Sequence, residues 1–395
     1  MIRTPDPLTT NAEAEPERPF LVLPDQSITY GDLYGTVAKL AAVLGMDGVK
    51  ESDRVALQGL SPRDTIECIL ALWRLKAVAC PLSDKLTPGQ TGEYNRWLGV
   101  SRTLREIPLA DGSVLPVTGD GWSLDREATV MLTSGTTGRP RAALHTLGAH
   151  YYSASGSAQN IALESLDRWL LALPLYHVGG LAILVRCLVA GASIAVPAAD
   201  WTLSETVAEM RPTHLSLVPT QLYRLLQDDT VLPYLKSARA ILVGGGPLSA
   251  SLVAQAKDLN LRMATSYGLT EMASQVCTTS LGATEQWHTA GRVLPYRELM
   301  IADDGEILVR GECLFRRLID ESGPVIDAID SDGWYHTGDC GHFDTDDNLV
   351  VSGRIDNMFV SGGENIHPEQ IEAALGRIDG VEQAVVVSMP DKEFG

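Results

Sequence analysis

The chain has 395 residues, 45% hydrophobic and 21% charged, with a formal net charge of −19. That length suffices for two or three domains with sizeable cores, and the acidic balance argues against nucleic acid or a membrane surface as partner, since both need a basic face. No apolar run is long enough to span a bilayer, the N-terminus lacks a signal peptide's basic-then-apolar order, and the six cysteines form no Cys-x-x-Cys pair. The cysteines read as buried free thiols of a reducing compartment, so a cytoplasmic location is expected.

Residues 1–18 are rich in proline and acid and are expected to tether loosely. Residues 20–23 and 27–30 flank an Asp25-Gln26 turn and predict a hairpin. Gly31-Asp32-Leu33 is expected to cap a helix running to about Leu44. A strand is expected over 54–58, an apolar helix over 64–77 and a buried strand over 78–82. The alternation continues with strands over 128–132, 169–173, 193–196, 214–218, 241–243 and 262–265, and a helix over 180–190. It predicts an α/β fold: a large N-terminal domain, residues 1–355, of two helix-covered, mostly parallel sheets. From about 297 to 355, short strands with Asp304-Gly305 and Asp332-Gly333 turns predict a small β-barrel-like subdomain. Gly353-Arg354-Ile355-Asp356 reads as a boundary, and Pro368-Glu369 begins a helix in a C-terminal α+β lobe over 356–395. No internal repeat or low-complexity tract is present.

The chain is organised around Thr133-Ser134-Gly135-Thr136-Thr137-Gly138-Arg139-Pro140-Arg141, which follows the 128–132 strand. Three hydroxyls within four residues, two glycines and two guanidinium groups match what phosphate oxygens require. The Walker A loop is excluded, because Gly135 and Gly138 are three apart and no Gly-Lys-Ser/Thr follows. Alone, the same composition describes a surface turn; the segments downstream favour the phosphate cradle.

Thr265-Ser266-Tyr267-Gly268-Leu269-Thr270-Glu271 is expected to follow a strand, at the carboxyl end where open α/β sheets bind ligands. Tyr267 offers a ring to stack on adenine, Thr270 a hydroxyl to phosphate and Glu271 a carboxylate to Mg²⁺. Gly244-Gly245-Gly246 would let backbone approach a flat ring. Arg186 lies within the otherwise apolar 181–190 run, where a guanidinium is costly unless paired. Its partner is either an internal Asp or Glu or a substrate carboxylate.

These motifs resemble, in order and approximate spacing, those of the acyl-adenylate-forming family of AMP-dependent synthetases and ligases. That family usually has Lys where Arg141 stands, and Arg keeps the charge but not the shape. The resemblance implies ATP and Mg²⁺, a carboxylic acid activated as its acyl-adenylate, and coenzyme A as co-substrate. It assigns Asp339, in Tyr335-His336-Thr337-Gly338-Asp339, to both ribose hydroxyls and Arg354 to the ribose. It places Asp356 at a hinge, His177 at a gate, and the Gly362-Gly363-Glu364-Asn365 loop against the coenzyme A tunnel. Thr270, Glu271, Arg141 and His177 would carry the chemistry. The acid would lie among Arg186, Ser216, His177, Ser266 and Gly268. Stretches 173–180, 214–222, 267–277, 354–357 and 390–395 resemble the branch whose acid is an aromatic dicarboxylate, which would account for Arg186. A ligase for another aryl or short-chain acid and a non-catalytic adenylate-binding module are the alternatives. The family's adenylation lysine lies near the end of a C-terminal domain larger than the 357–395 stretch, and Lys392 occupies a different segment. Slow adenylation by residues 1–395 alone is therefore expected. The sequence leaves the oligomeric state open, a homo-oligomer included.

Overall fold

The computed structural model describes residues 2–108, 115–119, 121–133, 140–357, 359–361, 364–366, 368–375, 378, 381 and 384–389. Two large sheets dominate. The nine-stranded sheet runs, edge to edge, Arg292–Val293, Ser274–Thr278, Met263–Leu269, Ala240–Val243, His214–Leu217, Arg168–Leu170, Ser193–Ala195, Pro19–Val22 and Ser27–Thr29. Its six strands from Met263–Leu269 to Pro19–Val22 are parallel. The seven-stranded sheet runs Gly323–Pro324, Arg317–Asp320, Arg141–Thr146, Glu127–Thr133, Val78–Pro81, Arg54–Leu57 and Val100–Leu104. It is parallel over its last four strands and antiparallel before them, because Glu127–Thr133 returns directly as Arg141–Thr146.

Alternate side chains of each strand point to opposite faces, and this sorts the cores. Trp169, Ile194 and Leu242 join Val55, Ala79 and Met131 of the other sheet in one large cluster with helices Tyr30–Met46, Pro62–Arg74, Leu147–Ala158 and Val178–Ala190. Their strand neighbours Leu170, Ala195, Ile241 and Val243 face the opposite way, onto Leu203–Met210, Pro219–Leu226 and Ala250–Asp258. The helices thus occupy both faces, as the alternation predicts. The small β subdomain is a four-stranded antiparallel sheet of Arg297–Ile301, Glu306–Gly311, Tyr335–Phe343 and Leu349–Arg354. Beyond it lie the paired strands Phe359–Ser361 and Glu364–Ile366 and the helix Pro368–Leu375.

Several expectations need correction. Residues 1–18 are no loose tether. Arg3–Thr4 pairs with Trp122–Ser123, and Asp6 caps the helix Pro7–Ala14, with Pro7 in its first turn and Leu8 buried. Proline and acid here are a helix-start signal, not a sign of disorder. Asp6 also pairs with the buried Arg74 guanidinium at 3.3 Å. The helix expected after Gly31 begins at Tyr30, capped by Thr29, with Asp32 completing the reciprocal pair of bonds from the third position. The helix placed over 64–77 spans Pro62–Arg74, capped by Ser61. The segment from Thr265 does not follow its strand but continues it to Leu269, and only Thr270–Met272 forms a turn. The cause is Ser274–Thr278, which pairs antiparallel with it around a bulge at Tyr267/Gly268. A side chain at Gly268 would run into the Ser274 carbonyl.

All six cysteines are free and buried. Among the described residues no helix is long and apolar enough to cross a membrane.

Candidate functional site

The Glu127–Thr133/Arg141–Thr146 hairpin pairs Thr133 with Arg141 across the mouth of the phosphate-loop candidate. Ser134, Gly135, Thr136, Thr137 and Gly138 lie outside the described residues. The hairpin is tied to the next motif by His145, whose Nε2 lies 2.8 Å from the Thr270 carbonyl. Because a carbonyl only accepts, Nε2 carries the proton. Burial lowers the pKa of His145 to about 4, so the ring is neutral.

Around Glu271 and Asp339 the strands bring several polar groups together. Burial raises the pKa of Glu271, while the Tyr335 hydroxyl donates to its carboxylate and opposes the rise. Burial raises the pKa of Tyr335, and the charge of Arg141 opposes that rise. Among the described residues no group of three or more His, Cys, Asp or Glu could cage a metal. A single carboxylate suits Mg²⁺ arriving on substrate phosphates, since that ion keeps water and phosphate ligands.

Asp339 sits between two donors. Tyr267 donates its hydroxyl to Oδ2 at 2.6 Å, and Arg354, its cross-strand partner, donates Nη1 to Oδ1 at 2.9 Å. Each carboxylate oxygen therefore keeps one lone pair for a ligand. Burial pushes the Asp339 pKa up, against the Tyr267 hydrogen bond and the Arg354 charge. Arg354 also reaches the exposed Asp356 at 3.3 Å, so the supposed hinge is held to the supposed ribose site. Gly362 and Gly363 lie outside the described residues, and Glu364 and Asn365 are described as backbone of the strand Glu364–Ile366.

On the opposite side of the Met263–Leu269/Ser274–Thr278 ribbon lies a second cluster. Arg186, 4% exposed, projects from Val178–Ala190 with its guanidinium carbon 5.2 Å from the Trp169 ring centroid. Its Nη2 donates to Gln275 Oε1 at 2.7 Å and weakly to Ser274 Oγ at 3.4 Å, while Nε has no partner. Among the described residues no carboxylate pairs with it. Burial, with the nearby Arg297 charge, lowers its pKa to about 9. It remains charged near neutral pH, with no counter-ion among the described residues. Trp169 donates Nε1–H to Ser216 Oγ at 3.1 Å, bringing Ser216 to the same ring.

The remaining predicted residues border these clusters. Gly244 faces the Ser266 hydroxyl so closely that a side chain there would displace it, and Gly245 has a φ of 80°. The tight packing around Gly244 thus serves Ser266, while Gly246 is exposed. His177 caps the start of Val178–Ala190 without a side-chain cap bond, its ring lying 4.7 Å from that of Tyr176. The sequence reading missed Trp169, Gln275, Tyr335 and His145. Each lies in a strand whose polar positions look like ordinary alternation, and only the tertiary contacts single them out.

A family model described as AMP-binding enzyme matches residues 8–96 and 99–318. The 2-succinylbenzoate–CoA ligase of Listeria innocua is 31% identical over 98% of this chain and 86% of its own length. That of Escherichia coli K12 is 34% identical over 95% of this chain and 82% of its own. Among solved structures, the o-succinylbenzoate CoA synthetase of Bacillus subtilis with its acyl-adenylate intermediate OSB-AMP matches with a TM-score of 0.88. That pair is 28% identical, covering all of this chain and 87% of the other. The same Bacillus enzyme in complex with ATP and magnesium ion matches at 0.86 with 28% identity, covering 100% and 88%. The chain belongs to the AMP-binding enzyme family.

Proposed function

We propose that the chain activates o-succinylbenzoate with ATP and Mg²⁺ to its acyl-adenylate and passes the acyl group to coenzyme A, releasing pyrophosphate and AMP. The observation that carries this reading is the buried Arg186, charged and without a carboxylate partner among the described residues. A fatty-acid ligase would want that position apolar; a dicarboxylate supplies the missing counter-ion with the carboxylate that does not react. Trp169 touches Arg186 and Ser216 alike, and relatives bearing this activity cover nearly the whole chain.

The succinyl carboxylate is a poor electrophile and first attacks the α-phosphorus of ATP, forming the acyl–phosphate bond as the bond to pyrophosphate breaks. The 133–138 hydroxyls and backbone, with Arg141 and Thr270, stabilise the phosphate charge, and Glu271 holds the Mg²⁺ that accompanies the nucleotide. Asp339 takes the ribose hydroxyls on its two free lone pairs, with Arg354 beside it. Tyr267 and Gly244–Gly246 border the adenine. His177 gates the acid pocket, which Ser266 and Gly268 complete. The thiol of coenzyme A then attacks the acyl carbon and expels AMP. Residues 1–355 form the adenylating domain in this reading, and Asp356 begins the mobile part that presents the 362–365 loop to coenzyme A. A cytoplasmic location follows from the substrates.

Pyrophosphate release with o-succinylbenzoate, compared with 4-oxo-4-phenylbutyrate, which lacks only the ring carboxylate, tests the reading. Release that depends on the ring carboxylate supports it. Equal release with both acids contradicts it.

A further inference from the structure

Arg186 and Arg297 are both buried, and neither pairs with a carboxylate among the described residues. Three other arginines do meet acids: Arg74 pairs with Asp6, Arg63 with Glu67 and Arg354 with Asp339. Both exceptions contact one residue. Arg297 donates Nε to the Gln275 carbonyl at 2.6 Å, and Arg186 donates Nη2 to the Gln275 side-chain oxygen at 2.7 Å.

The orientation of the Gln275 amide follows from its neighbours. Arg186 is only a donor, so the amide oxygen must face it. Thr278 spends its hydroxyl proton on the Cys277 carbonyl at 2.8 Å, leaving its oxygen to accept from Gln275 Nε2 at 2.7 Å. The Ser157 hydroxyl donates to the same Gln275 oxygen at 2.8 Å. The amide is thus fixed at both ends, and the side chain is 2% exposed.

Resting on the dicarboxylate reading above, we propose that Gln275 is a specificity-determining positioning residue. Its neutral amide aims the Arg186 guanidinium while leaving the positive charge uncompensated for the substrate's non-reacting carboxylate. A glutamate of the same shape would make a better bond to Arg186 and thereby cancel the charge that the substrate needs. The unpartnered Nε–H of Arg186 agrees with this: a donor is left over when the protein's own acceptors are used.

The test is steady-state pyrophosphate release by Gln275→Glu, Gln275→Met and Arg186→Met, each with o-succinylbenzoate and with 4-oxo-4-phenylbutyrate. Gln275→Glu is expected to raise the KM for o-succinylbenzoate about 10- to 100-fold, the worth of a bond to an uncompensated charge. Its KM for ATP should change by less than about twofold, its Tm should not fall, and its preference for the dicarboxylate should collapse. Gln275→Met leaves Arg186 charged but loosely held and should raise that KM only about fivefold, keeping the preference. A merely structural amide would show the reverse order, with isosteric Glu milder than Met, and that result overturns the proposal. Should Gln275→Glu fail to fold, loss of the preference in Gln275→Met overturns it equally. If Arg186→Met itself leaves the preference intact, the dicarboxylate reading fails instead.

Discussion

The Tyr267 hydroxyl lies 2.6 Å from Asp339 Oδ2 and, with the Arg297–Gln275 bond, ties the nine-stranded sheet to the small β subdomain. The same carboxylate takes Arg354 on its other oxygen, so a bond between residues 72 positions apart fixes the carboxylate that the proposed reading gives to the ribose. Tyr267→Phe keeps the ring and removes the donor. It should weaken ATP binding by about 1 kcal/mol, roughly fivefold, and leave acid binding unchanged. Asp339→Ala removes the acceptor itself and should cost about 1–3 kcal/mol. Calorimetric titration with ATP measures both, and unchanged affinity in the Asp339 variant would remove that residue from the ribose site.

Trp169 touches both residues of the proposed acid pocket, as a face beside Arg186 and as a donor to Ser216. Trp169→Phe keeps a ring but loses the indole N–H and the stronger π-face. It should raise the KM for o-succinylbenzoate about three- to tenfold, with the KM for ATP nearly unchanged. Parallel shifts in both constants would point to a general packing defect.

Much of this was legible in advance. The strand–helix alternation gave both large sheets, because apolar runs between helices have few other ways to bury themselves. Arg186 was conspicuous because a guanidinium in an apolar run demands an explanation. Gln275 was not, since an amide among strand residues satisfies ordinary alternation and shows its role only when Arg186 arrives from 89 positions away. The 1–18 segment reads as a tether because Leu8 is a lone large apolar anchor in a polar stretch, while its other anchors, the Arg3–Thr4 pairing and the Asp6–Arg74 ion pair, need partners far along the chain. Tyr267 was placed in a loop because the partner strand that extends it, Ser274–Thr278, follows a turn with no glycine or proline to announce it.

The buried histidines set a pH dependence of stability. His145, His150 and His214 all have folded-state pKa values lowered by burial, that of His145 to about 4. In each case the unfolded chain takes up the proton first, so the contribution is full above about pH 6.5 and is lost as pH falls, for His145 toward about 4. Asp339 and Glu271, raised by burial, act in the opposite sense. His145→Phe isolates one group: its stability deficit should be largest at pH 7.5 and shrink by about 1–2 kcal/mol at pH 5. Urea unfolding midpoints at the two pH values check this, and a deficit independent of pH would contradict it.

The thiols give a direct test of the packing. All six cysteines are buried, and burial raises the pKa of Cys68, Cys80 and Cys277 to about 12 and of Cys313 to about 11. A thiol kept protonated and covered does not react. An aromatic disulfide reagent at pH 8 should label none of them in the folded protein and all six in urea. Rapid labelling of a native thiol would show that its segment opens.

The central claim is that Arg186 reads the carboxylate that does not react. The most direct measurement is the ratio of kcat/KM for o-succinylbenzoate to that for 4-oxo-4-phenylbutyrate, in the unaltered chain and in Arg186→Lys. A site with a buried, uncompensated guanidinium should prefer the dicarboxylate by about a hundredfold or more. Lysine keeps the charge but loses the planar fork and should cut that ratio about tenfold, with ATP dependence unchanged. A ratio near one in the unaltered chain, or one that Arg186→Lys leaves intact, would contradict the account.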